Sequence, residues 1–157
     1  MSFSLLDFVR ESNRIEGIHR EPTEGEVQAH WWLCDRAVLT IPDLQEFVRA
    51  VQPDAVLRDR DNLNVRVGRH VAPQGGERVV ARLTELLLNA HPAPLIISPF
   101  DADDAYQTHQ AYEHLHPFTD GNGRSGRAVW LWMMGGIGRA PLGFLHHWYY
   151  QSLNEAR

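Results

Sequence analysis

Apolar residues recur along most of the chain at helical spacing. Leu5, Phe8, Val9 and Ile15 form a stripe that predicts a first helix over residues 4–16, capped by Ser4 and stopped by Gly17. Pro22 breaks the connection that follows. Thr23 and Glu26 are spaced as a capping box, so a second helix starts there and carries Val27, Trp31, Trp32 and Cys34, followed by Val38 and Leu39. The paired tryptophans read as packing residues. Thr40 caps a third helix, with Pro42 in its first turn and Leu44, Phe47, Val48 and Val51 as the inward stripe, until Pro53 ends it. Residues 54–62 are polar and read as a surface loop. The period then changes. Leu63, Val65 and Val67 alternate with Asn64 and Arg66, Gly68 turns the chain, and residues 70–73 return, which predicts a hairpin over 63–73.

Helical spacing resumes over residues 77–89 with Val79, Val80, Leu83, Leu86, Leu87 and Leu88. Pro92 and Pro94 mark a connection, and Ile96 and Ile97 fit either a helix start or a buried extended piece. Asp101 or Asp103 is expected to cap the next helix, which runs through Ala105, Tyr106, His109, Tyr112 and Leu115. Residues 128–134 are apolar almost all round, which predicts a buried helix too short to span a membrane. Glycines at 135, 136 and 138 break that pattern. A last, aromatic-rich helix over 141–153, with Phe144, Trp148, Tyr149 and Tyr150, is expected to pack on the core. The fold class is therefore mainly α: a helical bundle around a buried central helix, with one β-hairpin.

Composition narrows the setting. A chain of 157 residues, 43% hydrophobic and 22% charged, is the size and make-up of one globular domain spanning 1–157. The net charge of -5 without a basic cluster argues against a nucleic-acid partner. Cys34 is the lone cysteine, so no internal disulfide can form. The first nine residues lack a secretory pattern, so a cytoplasmic location is expected, with signal-independent secretion left open. No membrane partner is expected, and nothing in the chain addresses oligomeric state. His109, His114 and His116 lack a carboxylate or cysteine partner at metal-site spacing.

The chemistry concentrates in His116-Pro117-Phe118-Thr119-Asp120-Gly121-Asn122-Gly123-Arg124-Ser125-Gly126-Arg127. A polar, glycine-rich loop feeds the start of the central helix, with Asp120 or Asn122 available as its N-cap. Arg124 and Arg127 lie three apart in the first turns, at the helix end that disfavours cations. They therefore call for an anion, and a polyphosphate fits free N–H groups, a positive dipole end and two forked donors. Asp120 then reads as the holder of a divalent cation that bridges phosphate oxygens. Histidine is the side chain suited to proton transfer near neutral pH, and His116, just upstream, could take a proton from a hydroxyl. Together these residues point to transfer of part of a nucleotide to a hydroxyl. Glu16 sits at the negative end of the first helix and wants a cation, while Arg127 wants an anion.

This stretch resembles the Fic family motif H-x-F-x-D/E-G-N-G-R-x-x-R at every specified position. The resemblance implies that His116 is the general base for a target Tyr, Thr or Ser hydroxyl, and that Phe118 anchors the loop. It implies Mg²⁺ at Asp120, an anion-binding turn at Gly121, Asn122 and Gly123, and outer phosphates held by Arg124 and Arg127. The implied substrate is ATP and the implied reaction is transfer of AMP to a protein. Residues 12–17, with Ser12, Glu16 and Gly17, match the family's inhibitory pattern S/T-x-x-x-E-G/N. By resemblance, Glu16 pairs with Arg127 and prevents ATP from seating its γ-phosphate, which makes residues 4–17 an inhibitory helix in cis. The hairpin resembles the family's flap, on which a target protein, unidentified here, docks by strand addition along Val65, Arg66, Val67 and Gly68. Leu57-Arg58 ahead of it fits the family pattern loosely. Phosphate transfer as in the related Doc toxins is the second reading. Doc motifs lack the second glycine and second arginine, which Gly123 and Arg127 supply here. Transfer of another nucleotide, removal of AMP with Glu16 positioning water, and a non-catalytic nucleotide-binding module complete the alternatives.

Overall fold

A computed structural model describes residues 4–94 and 98–136. The described elements are α1 (Leu5–Ile15), α2 (Glu24–Cys34), α3 (Ile41–Val51), β1 (Arg66–Val67), β2 (His70–Val71), α4 (Glu77–Leu88), α5 (Pro99–Leu115) and α6 (Asn122–Met133). The chain is thus mainly helical with one antiparallel hairpin, as the apolar pattern predicts. No helix among the described residues is long and apolar enough to cross a membrane. Ile96, Ile97 and the aromatic helix expected over 141–153 lie outside the described residues.

The helix starts follow from their caps. Ser4, Thr23, Thr40 and Ser98 each accept a hydrogen bond from the N3 backbone, and the N3 carboxylate reaches back. The last of these corrects an expectation: Ser98 caps α5, with Pro99 at its first position, and Asp101 is the N3 partner of the box, not the cap. Asp103 is not the cap either. A hydroxyl followed by proline outcompetes a carboxylate already inside the first turn. α1 ends in a Schellman arrangement. Gly17 adopts φ 75°, Gly17 N donates to Arg14 O (2.9 Å) and Ile18 N to Asn13 O (3.0 Å).

α6 is the central helix. Every residue from Arg124 to Met133 is buried, and α5, α2, α1 and α3 pack around it. The α5–α6 contact is close because Gly126 has no side chain. A Cβ there would lie 3.0 Å from Tyr112 Cδ1, 3.1 Å from Glu113 Oε1 and 3.2 Å from His109 Cε1. Gly126→Ala should therefore lower stability by about 1–3 kcal/mol through overpacking. A reduced urea midpoint would report it, and an unchanged midpoint would show that the helices give way freely.

Three surface assignments change. Trp31 is 62% exposed and does not pack; Trp32 is half-buried, with the Arg36 guanidinium 5.1 Å from its ring centre. Val38 and Leu88 are exposed as well. Residues 54–62 are not wholly a surface loop, because Leu57 and Arg58 are buried. The hairpin has two residues per strand, pairing Arg66 with Val71 and Val67 with His70, so it is shorter than the alternation over 63–73 suggests.

Two buried titratable groups join α1, α2 and α3. Burial alone would raise the Glu26 carboxyl, but Arg20, the Thr23 N–H and the Asn13 amide outweigh it and bring it from 4.5 down to about 2. Burial takes His30 from 6.5 down to about 4, and its Nδ1–H donates to Glu26 O at 2.7 Å. The His30 ring lies edge-on to Phe8 and Phe47. In both cases the folded value lies below the unfolded one, so the unfolded chain binds more protons. Stability should fall as pH drops, first from about 6.5 to 4 through His30 and then from 4.5 to about 2 through Glu26. Urea midpoints across that range test this. A flat upper part would refute a neutral buried His30.

Candidate active site

The N-terminus of α6 opens into a cleft of about 600 Å³. Its walls include Glu16 from the end of α1, Gln52 from the end of α3, Val65, Arg66 and Val67 from the hairpin, and the loop from His116 to Arg124. The structure thus brings the predicted base, loop, first arginine, inhibitory carboxylate and flap residues to one space. Gly68 sits outside this lining, at the hairpin turn with φ 58°, and its carbonyl accepts from Arg66 Nε at 3.1 Å.

The loop is held by its own side chains. Asn122 Oδ1 accepts from Phe118 N (2.9 Å), and Asn122 Nδ2 donates to Phe118 O (2.8 Å). Neither Asp120 nor Asn122 is the N-cap of α6, which corrects that expectation: Gly121 occupies the position with φ 75° and no side-chain cap. Asn122 is engaged in closing the loop, and Asp120 Oδ1 accepts from Gly121 N at 2.7 Å. The first-turn N–H groups at Asn122, Gly123 and Arg124 consequently have no acceptor within the helix and no capping side chain. Ser125 Oγ donates to Gly121 O (2.8 Å) and receives the Tyr112 hydroxyl (2.7 Å), which ties α5 to the loop. Burial pushes the Tyr112 phenol up, so it stays a donor.

His116 ends α5 in the left-handed region, φ 48° and ψ 65°. Among the described residues no other non-glycine has positive φ. Its Nδ1 contacts the Glu113 carbonyl, which can only accept. The proton therefore sits on Nδ1, and Nε2 is left with its lone pair, the form a general base requires. The ring is buried at the cleft, beside His70 of the hairpin.

Both arginines find partners within the protein at the negative ends of two other helices, but the buried Arg124 Nε has none among the described residues. Arg127 Nε donates to Ser12 Oγ (2.8 Å), and Nη2 donates to Ser12 O (3.0 Å) and Glu16 Oε1 (2.6 Å). Arg124 Nη1 donates to Val51 O (2.7 Å) and Nη2 to Gln52 Oε1 (2.6 Å), at the end of α3. The demand for negative charge at this helix start is thus met in part by the chain itself. Carbonyls at helix C-termini carry partial negative charge and serve the same need. Burial lowers the Arg124 pKa. Gly123 makes the Glu16 contact possible: a Cβ there would lie 2.0 Å from Glu16 Oε1.

Sequence reasoning missed Arg58, Gln52 and the Val51 carbonyl. Arg58 stood in a polar stretch without periodicity, and its resemblance to the family pattern was loose. Gln52 is an ordinary helix-ending residue, and a backbone carbonyl leaves no trace in sequence.

For a divalent cation, the described residues contain no group of three or more His, Cys, Asp or Glu side chains that could hold it. Asp120 is an exposed carboxylate at the cleft, which Glu16 and Glu113 also line. That suits Mg²⁺, which takes one or two carboxylates and completes its shell with phosphates and water.

A mainly helical bundle that presents a histidine, a carboxylate and free helix N–H groups at one cleft has the features of a group-transfer enzyme acting on phosphates. The model of the Fic/DOC family matches residues 32–134, most of the chain, and the protein belongs to that family. Fic domains generally transfer nucleotidyl or phosphate groups, which supports a transferase. α1, with Ser12 and Glu16, precedes the matched region. None of the curated proteins compared with the chain matches it.

Proposed function

We propose that the protein is an autoinhibited adenylyltransferase that moves AMP from ATP to a Tyr, Thr or Ser hydroxyl of a target protein. The observation that carries this reading is the position of Glu16. Its carboxylate bonds Arg127 at 2.6 Å and faces the same cleft as His116 and Asp120. In this reading His116 Nε2 takes the hydroxyl proton and the hydroxyl oxygen attacks the α-phosphorus. The bond from that phosphorus to the bridging oxygen breaks, and pyrophosphate leaves with the electron pair. The N–H groups of residues 122–124 receive phosphate oxygens, and Asp120 would hold Mg²⁺, which supplies charge neutralisation at the phosphates. Arg127 is available to the outer phosphates only when Glu16 gives it up, and Arg124 only when it leaves the end of α3. The target lies along the hairpin, whose residues 65–67 line the cleft.

Incubating wild type and Glu16→Gly with ATP and Mg²⁺ and weighing the intact chains tests this through self-modification. An AMP adduct on the variant, weak or absent on wild type, is expected. A phosphate adduct would move the reading to Doc-like transfer, and no adduct on either would count against adenylyl transfer. Glu16 is 38% exposed at the cleft, which also allows it to orient a water. Loss of AMP from a modified target, faster in wild type than in Glu16→Gly, would favour that second activity.

A further inference from the structure

Arg58 is fully buried, yet none of its side-chain hydrogen bonds goes to a carboxylate. Its partners are backbone carbonyls, and their placement is specific. Nε donates to His116 O (2.5 Å), Nη2 to Leu115 O (2.7 Å), and the Arg58 backbone N–H to Pro117 O (2.8 Å). One residue thereby holds three consecutive carbonyls, those centred on the histidine. The remaining nitrogen, Nη1, donates to Leu63 O (3.1 Å) and Pro73 O (2.7 Å), the two ends of the segment that carries the hairpin. Neighbouring backbone reinforces the join. Leu57 bridges Phe118, Thr119 N donates to Val56 O (2.9 Å), and Arg58 O accepts from Gly76 N at the start of α4.

A guanidinium is suited to this because its donors lie in one rigid plane, whereas an ammonium offers three donors from a single point. The cost is a buried cation, visible in the lowered Arg58 pKa. His116 itself needs external support, since a non-glycine residue in the left-handed region persists only where the surroundings determine it. His70 Nε2–H, on the hairpin, donates to His114 O (2.8 Å), so the hairpin and the end of α5 meet on a second line as well.

We infer that Arg58 is a positioning residue that locks the hairpin and the His116 loop into one rigid unit, so that a segment docked on the hairpin presents its hydroxyl at a set distance from the base. Sub-ångström placement of reacting groups is worth orders of magnitude in rate. Arg58 is not among the residues that line the cleft. The kinetic part of this inference rests on the adenylyl-transfer reading, and the structural part does not.

The structural part is tested first, on wild type, by native-state amide exchange. The hairpin amides of residues 66–71 and the amides of residues 116 and 118–119 should open together, with the same denaturant dependence. In Arg58→Lys both groups should lose protection by roughly tenfold or more while α2 and α3 keep theirs. Independent opening of the two groups in wild type would overturn the inference, even if the variant failed to fold. The kinetic part is tested in Glu16→Gly. Adding Arg58→Lys should leave the stoichiometry and Kd of ATP binding unchanged and slow single-turnover self-adenylylation, per ATP-binding molecule, by roughly 100-fold. A merely structural role would instead lower the fraction of molecules that bind ATP and leave the rate per ATP-binding molecule alone, and that pattern would overturn it. Complete absence of transfer in Glu16→Gly itself would strike the adenylyl-transfer reading while the exchange result stands.

Discussion

In a Glu16→Gly background, His116→Ala should lower AMP transfer by about 10²–10⁴-fold, the range that a positioned general base contributes. ATP binding should persist, because in the proposed reading the groups that receive phosphate are elsewhere: the N–H groups of α6 and the two arginines. The prediction is sharp because the tautomer is set by geometry. With the proton on Nδ1 directed at the Glu113 carbonyl, Nε2 is the basic atom. The Ala variant keeps the loop, since Asn122 closes it on Phe118 and Arg58 holds the 115–117 carbonyls. Single-turnover transfer and equilibrium ATP binding, measured on the same preparation, separate the two effects. Transfer within about twofold of the parent would remove His116 from the chemistry; loss of ATP binding would mean that the ring shapes the nucleotide site instead.

Glu16→Gly alone should raise transfer by about 10- to 100-fold over wild type. The side chain contributes one charge-assisted hydrogen bond to Arg127, worth about 1.5–3 kcal/mol, and each 1.4 kcal/mol is about tenfold in an equilibrium. Arg127 would still donate to Ser12 Oγ and Ser12 O. It therefore stays in place while its charge becomes available to an incoming phosphate. The expected change is in productive occupancy, so ATP titrations should show tighter binding in parallel. Equal rates and equal affinities in the two proteins would refute the brake. Gly17, at φ 75° after the substituted position, keeps the chain direction at the end of α1, so the variant should remain folded.

The two arginines show how far sequence and structure each reach. Their presence in the first turns of a buried helix was legible, and so was the demand for negative charge. What the chain itself offers them was legible for Arg127, where Glu16 at the end of α1 was expected and found. It was not legible for Arg124, whose partners are the end of α3 and the Gln52 amide. Arg58 is the stronger case. Its neighbours in sequence are Asp59, Arg60 and Asp61, which mark a solvated loop, yet it is fully buried.

The sequence by itself determined the described helices, the hydroxyl caps of α1, α2 and α3, the burial of the stretch after the motif, and the residues gathered at the loop. These are local matters: apolar period, capping chemistry and turn residues act over a few positions. Even the α1 terminus, with Glu16 ahead of a left-handed Gly17, follows from neighbours in the chain. Only the tertiary structure decided that Asn122 closes the loop while Gly121 caps α6, and that the ends of α1 and α3 supply partners to the two arginines. It also decided the place of Arg58. Each of these turns on which backbone carbonyl or N–H lies within about 3 Å of a side chain. Backbone groups are the same at every residue, so their positions are set by packing and leave no mark in the sequence.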